Sequence, residues 1–240
     1  MKIHYIHLDT IDSTNNWTKS HLEELSPFTC VTAQEQTAGR GRFQRHWVSP
    51  RGENIYATLY FTVPLGSGYL CNLGQLMAFA CAKVLRGIGF QAQIKWPNDI
   101  LIQGKKIAGV LTETVTQGDN IGVIIGIGIN VNMPSESLDS IDQPATSLFH
   151  LSKKKWDLTE LIELLMTHFL LDLELLKKSG FAAFQAPFEN ILAYKGEHIT
   201  CRDGAQTIQG ICHAITPDGR LQLLLPSGEI KTLMAGEVGV

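Results

Sequence analysis

No stretch of this 240-residue sequence approaches the roughly 20 consecutive apolar residues that a membrane-crossing helix needs. The opening residues, MKIHYIHLDTIDS, lack the uninterrupted apolar core of a signal peptide. Basic residues bring no surplus: 20 Lys and Arg against 23 Asp and Glu leave a net charge of −3. A protein that wraps duplex DNA carries a basic excess, so that class is disfavoured, although a local basic patch remains compatible. Cysteine offers no paired framework. Cys30, Cys71, Cys81, Cys201 and Cys212 are odd in number, widely spaced and never in a CxxC. That argues against a zinc ribbon or thioredoxin-like centre and fits a cytoplasmic compartment. There is no GxxxxGKS/T phosphate loop, complete GxGxxG, HExxH or GxSxG, and the eight histidines have no metal-ligand spacing. Repeats and low-complexity tracts are also missing. What is abundant is apolar: 44% hydrophobic against 18% charged, enough for a sizeable core and too much for a disordered chain. The length suits one large domain with a small appendage, or one oversized α/β domain.

Residues 3–9 alternate as a strand, and Asp12-Ser13-Thr14-Asn15 offers N-cap side chains for a helix running to about Leu25, closed by Pro27. Phe28 to Gln34 reads as a strand. Gln36 to Gly52 holds three glycines, a proline and four arginines, too long and polar for a simple turn; such loops are often functional. Asn54 to Val63 is a strand and Tyr69 to Leu85 a helix. Gln91–Trp96, Ile100–Ile102, Ile107–Val115 and Gly122–Val131 then follow as strands with short connections, predicting a mixed or antiparallel sheet with helices on one face. Asp157 to Glu160 forms a capping-box pattern before an amphipathic helix that ends at Lys177, Lys178 and Gly180. After about Phe188 the composition shifts. From Gly196 onward, turn signals at Asp203-Gly204, Pro217-Asp218-Gly219 and Pro226-Ser227-Gly228 separate short β-like runs, predicting a small β-barrel or meander. The expected division is 1–188 and 189–240.

Four segments can carry chemistry. QTAGRGR (36–42), leading to Trp47, alternates glycines that expose backbone N–H groups with arginines suited to phosphate. It reads equally as a solvated basic loop. KWPND (95–99) with GKKIAG (104–109) places Asn98 and Asp99 in a turn and Lys106 at the start of a strand that aims it rigidly; it reads also as a hairpin with exposed lysines. GIGINVN (126–132) puts glycines in an apolar strand, a mark of close backbone approach, and ends at Asn130; the plain alternative is a crowded core strand. DSTN (12–15) is either a ligand-facing helix start or an ordinary cap.

Together, DSTN (12–15), QTAGRGR (36–42), W-x-SP-x-GENIYATL (47–59), KWPND (95–99), GKKIAGVLTE (104–113) and GIGINVN (126–132), with a weaker ATSL (145–148), resemble the biotin protein ligase family. The resemblance implies a mixed sheet with helices packed on it, similar to class II tRNA synthetases, followed by a small SH3-like β domain. It implies formation of biotinyl-5′-AMP from biotin and ATP, with magnesium on the ATP phosphates rather than on protein ligands. Biotin then passes to one lysine of a biotin carboxyl carrier domain. Carried over position by position, Ser13, Thr14, Asn15, Gln36, Arg40, Gly41, Arg42, Lys106 and Gly109 fall at the biotin side. Arg40, Arg42, Trp47, Lys95, Asn98 and Asn130 fall at the ATP side. Lys106, Arg42 and Asp99 are the catalytic candidates, with Asp99 beside the path of the acceptor lysine. A homodimer joined sheet edge to sheet edge is also implied.

The sequence departs from the family in three ways. Gln44 stands where the family loop often has a later glycine, which stiffens the loop. No tryptophan lies between Asn130 and Ser147 to cover the adenine. DSTN begins at residue 12, leaving no room for the helix-turn-helix domain many members carry, so DNA binding is not expected. Lipoate and octanoate ligases are the nearest rivals, but their RRxSGGG-type segment is missing. A DNA-binding biotin sensor and a catalytically dead binding module are the rivals of other classes.

Overall fold

The computed structural model describes residues 2–203 and 206–239. They form an α+β fold built on two β-sheets. Strands β1 (His4–Ile11), β2 (Thr29–Gln36), β3 (Ile55–Pro64), β4 (Ala92–Lys95), β5 (Asp99–Ile102), β6 (Lys105–Gln117) and β7 (Asn120–Ile129) make the larger sheet, in the order β1-β2-β3-β7-β6-β5-β4. The β1–β2 pair is parallel and the other pairs are antiparallel. Helix α1 (Thr14–Ser20) lies in the connection between β1 and β2, because a parallel return needs a crossover rather than a hairpin. The mixed sheet read from the sequence is the one observed.

Helix α1 stops at Ser20 rather than near Leu25. The Ser20 hydroxyl donates to Trp17 O at 2.9 Å, and the His21 ring lies stacked on Trp17 with Nδ1 2.8 Å from the same carbonyl. Local side-chain bonds thus compete with the next helical turn.

Strands β3 and β7 occupy the centre and read as nearly continuous apolar runs because both their faces are covered. On one face Leu59, Phe61, Ile125 and Ile127 share the main core with helix α2 (Leu73–Gly87) and helix α5 (Leu158–Ser179), whose N-terminus Asp157 caps by accepting from the backbone of Thr159 and Glu160. The alternate residues point the other way. There Tyr60 and Ile124 cluster with Leu22, and Asn15 of α1 lies against Gly126. Helices therefore do not share one face: α1 sits opposite α2 and α5, and the remainder of that face is open. Short helices α3 (Ser135–Leu138), α4 (Leu148–Ser152) and α6 (Gln185–Glu189) complete the connections.

The second sheet is antiparallel, in the order β11-β10-β9-β8-β12, from β8 (His198–Asp203), β9 (Gln206–Ile215), β10 (Leu221–Leu224), β11 (Ile230–Leu233) and β12 (Glu237–Gly239). Its turns at 217–219 and 226–228 fall where the sequence places them. The turn expected at Asp203-Gly204 lies partly outside the described residues. Side chains of the larger unit hold the 218–219 turn: Asn72 Nδ2 donates to Asp218 O at 2.9 Å, Gln75 Nε2 to Gly219 O at 2.6 Å, and Trp96 Nε1 to Gly219 O at 3.0 Å. The core runs without a break across the junction, through Phe181, Phe184, Phe188 and Leu192 to Ile199 and Leu221.

Gly219 has φ +85°, and a Cβ there would lie 2.5 Å from both Asn72 Nδ2 and Gln75 Oε1. Gly219→Ala is expected to destabilise the fold by about 2–4 kcal/mol, combining a left-handed alanine with damaged buried hydrogen bonds. Denaturant unfolding of the variant checks this; an unchanged midpoint refutes it.

Candidate functional site

The open face of the larger sheet holds a cleft. Ser13, Thr14, Asn15, Gln36, Arg40, Gly41, Arg42, Trp47, Lys95, Asn98, Asp99, Lys106 and Gly109 all line it, so the structure brings together every residue singled out from the sequence but one. The exception is Asn130. It is 2% exposed and does not line the cleft. Its backbone donates to Ile107 O at 2.8 Å and accepts from Leu148 N at 3.3 Å, so it ties β6 to the start of α4.

The floor exists because β7 carries no side chains where the cleft is deepest. A Cβ on Gly126 would overlap the Asn15 amide, and one on Gly128 would overlap the Trp47 indole. Close approach, rather than a crowded core strand, explains the glycines. Above them runs an uncharged hydrogen-bonded chain. The Thr58 hydroxyl lies 2.7 Å from Asn15 Oδ1 and 2.8 Å from Thr14 Oγ1. Gln36 Oε1 accepts from Thr14 N at 2.9 Å, and Gln36 Nε2 donates to Ser49 Oγ at 3.0 Å. Ser13 starts α1 but makes no side-chain cap bond, so DSTN is not an ordinary cap.

The mouth is cationic. Among the described residues that line it, Arg40, Arg42, Arg45, Lys95 and Lys106 outnumber the carboxylates Asp99 and Glu237, in a chain whose net charge is −3, and Arg40 also meets Glu113 behind the lining. Lys106 Nζ lies 2.8 Å from Asp99 Oδ1, and Lys95 Nζ lies 3.8 Å from Asp99 Oδ2. The side chains of Lys95, Asp99 and Lys106 are only 17%, 14% and 15% exposed, which rules out a hairpin with solvated lysines. Asp99 is likewise no free turn carboxylate but a charge shared between two ammonium groups. Lys106 Nζ also stands 5.5 Å from the centre of the Trp47 ring.

The arginine loop is folded over the cleft. Gly41 N donates to Arg45 O and Trp47 N to Gly39 O, both at 2.8 Å, making a narrow hairpin. Arg42 Nη1 donates to Asn98 Oδ1 at 2.9 Å, and Nη2 to Gly236 O at 3.2 Å. Arg45 is ion-paired with Glu237 of β12, with Nη2 2.7 Å from Oε2. At the tip Phe43 and Gln44 have φ of 56° and 60°. Gln44 holds a left-handed backbone that suits glycine better than a residue with a Cβ, which strains the tip locally. Burial pulls the Arg42 guanidinium below its ordinary value, with Asp99 and Glu237 partly opposing. Arginine retains its proton, so a desolvated cation faces the cleft and favours an anionic ligand.

Sequence reasoning missed Thr58, Ser49, Glu113 and Glu237. Glu113 closes the quoted GKKIAGVLTE segment, and Glu237 belongs to a C-terminal strand that no local pattern links to the loop. Burial pushes the thiols of Cys30 and Cys81 up to about 12 and that of Cys212 to about 11, and none of the three lines the cleft.

Burial acts to raise the Glu237 carboxyl, but Arg45, together with Lys95 and Arg202, outweighs it and holds it below its ordinary value. The contribution of this pair is therefore complete above the unfolded glutamate pKa and is lost as pH falls through the lower folded value. Glu237→Gln is expected to loosen the loop at neutral pH by up to about 1 kcal/mol, the scale of a half-exposed pair. Amide exchange across residues 40–47 should quicken up to about fivefold, and the difference from the parent protein should vanish in acid. Equal exchange at neutral pH refutes the latch.

Comparison with known proteins bears on the same residues. Residues 7–130 match the biotin/lipoate A/B protein ligase family, and residues 195–239 match the biotin protein ligase C-terminal domain. The bifunctional ligase/repressor BirA of Escherichia coli is 32% identical over 97% of this chain and 73% of its own length. The biotin–[acetyl-CoA-carboxylase] ligase of Paracoccus denitrificans is 33% identical over 95% of this chain and 96% of its own. The structure of a biotin protein ligase from Aquifex aeolicus in complex with biotin and ATP superposes with a TM-score of 0.85 at 30% identity, covering 98% of this chain and 97% of that one. Matched by the family model over just over half its length, and by these relatives over nearly all of it, the chain belongs to the biotin protein ligase family.

Proposed function

We propose that the protein is an ATP-dependent ligase that activates biotin as biotinyl-5′-AMP and transfers it to a lysine of a biotin carboxyl carrier domain. The observation that carries this is the division of one cleft into an uncharged, hydrogen-bonding floor and a cationic mouth. Biotin has the matching halves: a polar, uncharged ureido ring and a carboxylate on an apolar chain. Thr14, Asn15 and Gln36 suit the ring, and Ser13 stands beside them. Lys106 and Arg42 suit the carboxylate and the ATP α-phosphate. The similar Aquifex protein, solved with biotin and ATP, supports the same pairing of substrates.

In the first step a carboxylate oxygen attacks the α-phosphorus, the bond to pyrophosphate breaks, and a mixed anhydride forms. Two anions must meet, and Lys106, Arg40 and Arg42 offset their repulsion at fixed positions. Magnesium would enter with ATP as part of that substrate and would offset phosphate charge. Among the described residues no cluster of three His, Cys, Asp or Glu side chains is poised to hold a metal. Trp47 offers the nucleotide an indole face, and Lys95 and Asn98 flank the same end. The loop carrying Gly41 and Arg42 shields the anhydride from water.

In the second step the neutral amine of the acceptor lysine attacks the anhydride carbonyl: the amide C–N bond forms, the C–O bond to the phosphate breaks, AMP leaves as the anion, and the amine's surplus proton passes to water. Asp99, held between Lys106 and Lys95, orients that amine. The reading carries with it a cytoplasmic location, no DNA partner, and a carrier domain of a biotin-dependent carboxylase as protein substrate. It retains 1–188 as the ligase unit and 189–240 as the small β unit. No described helix is long and apolar enough to cross a membrane. A homodimer would use β1, which ends the strand order of the larger sheet.

Pyrophosphate release from ATP and magnesium, with biotin, lipoate or octanoate added, tests the assignment. Release that depends on biotin, with the other two acids marginal, is expected; equal turnover with lipoate rejects it. Lys106→Ala should slow single-turnover adenylation roughly 10²–10³-fold, about 2.7–4 kcal/mol, with little change in melting. Lys95→Ala should act more mildly, because Lys95 stands 3.8 Å rather than 2.8 Å from the shared carboxylate. The reverse ranking would show the central lysine to be Lys95.

A further inference from the structure

Glu113 has no part in the steps above, yet three elements converge on it. It lies on β6 two residues beyond Leu111, which lines the cleft, so both side chains leave the same face of the strand. Glu113 Oε2 accepts from Asn15 Nδ2 at 3.0 Å and from Arg40 Nη2 at 3.3 Å, and Oε1 lies 3.7 Å from Lys19 Nζ. Asn15 belongs to the floor, Arg40 to the loop that covers it, and Lys19 to the last turn of α1.

This placement decides how its two main partners point. Asn15 Nδ2 is engaged by Glu113 and by Leu111 O at 3.4 Å, which turns Oδ1 toward Thr58. Arg40 Nη2 is engaged by Glu113 and by Asn16 Oδ1 at 2.5 Å. With that end of the guanidinium held, Arg40 Nε is left buried without a partner in a residue that lines the cleft. A buried donor without a partner is unfavourable and is satisfied by a ligand acceptor.

We propose that Glu113 is a positioning residue that couples loop closure to occupancy of the biotin end: one carboxylate fixes Asn15 on the floor and Arg40 on the loop in mutual register, and leaves Arg40 Nε–H for the bound acid. The inference rests on the ligase reading above. A glutamine at this position keeps one carbonyl oxygen for Asn15 and Arg40 but strips it of charge, turns its amide donor toward Lys19, and leaves Arg40 and Lys19 without their counter-charge. The common anchor of loop and floor is then weakened.

The test uses the full chain. Biotin-dependent pyrophosphate release is measured first in the parent protein; if there is none, the ligase reading fails and the inference falls with it. Given that activity, Glu113→Gln should raise KM for biotin about tenfold, leave KM for ATP within twofold, and speed biotinyl-adenylate dissociation by a similar factor. Arg40→Met should raise KM for biotin as well, and adding Glu113→Gln to it should change little further, since both remove one coupled unit. Lys19→Ala, which removes the outer partner alone, should leave KM for biotin unchanged. Should Glu113→Gln not fold, Glu113→Asp keeps the charge but retracts it by one methylene, and the same split is expected at smaller amplitude. Equal shifts in both KM values, multiplicative effects with Arg40→Met, or an equal loss from Lys19→Ala would each show Glu113 to be merely structural and overturn the proposal.

Discussion

Everything at this site depends on one packing constraint: the central strand β7 is covered on both faces, but on one of them by other residues' side chains rather than its own. Gly126 and Gly128 let the Asn15 amide and the Trp47 indole rest directly on the strand backbone. A side chain at either position would fill the floor. The opposite face of the same strand, with Ile125 and Ile127 in the main core, anchors the strand so firmly that the bare face stays flat and deep. Stability and cavity thus come from alternate residues of one segment.

The second organising fact is the separation of charge from the floor. Thr14, Gln36, Thr58 and Ser49 satisfy one another without a formal charge, and Asn15 joins them at Thr58 while its amide nitrogen reaches back to Glu113. The lysines and arginines are held at the rim by Asp99, Glu113 and Glu237, which stand on three different strands. Each carboxylate keeps a cation oriented. Pre-set cations require less rearrangement when an anion arrives, and that is where an enzyme joining a carboxylate to a phosphate gains most.

Local patterns in the sequence carried much of this. The order of strands and helices was legible because period-two and period-3.6 patterns are local, and the turn residues of the second sheet stand in plain view. The cleft residues were legible through the combined resemblance of six motifs to one family, since each motif alone read as well as a basic loop, a hairpin, a core strand or a cap. Long-range relations were not legible. That α1 lies opposite α2 and α5 follows from strand order, which no local pattern states. That Asn130 is buried and outside the cleft lining, with its backbone bonded to Ile107 and Leu148, is likewise a long-range relation. Glu237 pairs with Arg45 across nearly the whole chain, and Thr58 sits inside an ordinary strand pattern. The helix read to Leu25 failed for a different reason: Ser20 and His21 compete for a single carbonyl, a detail finer than any periodicity.

The loop tip stores something the rest of the cleft does not. Two successive residues with side chains, Phe43 and Gln44, have left-handed backbone between Arg42 and Arg45, which grip Asn98, Gly236 and Glu237. A hairpin bent this way behaves as a loaded spring: releasing the arginines lets the tip relax to a commoner conformation, so opening is assisted and closing must be driven by whatever the arginines hold. On the proposed reading, the residence time of a reactive intermediate beneath such a cover would follow the arginine contacts, and the cover's own backbone would hasten its exit once they weaken.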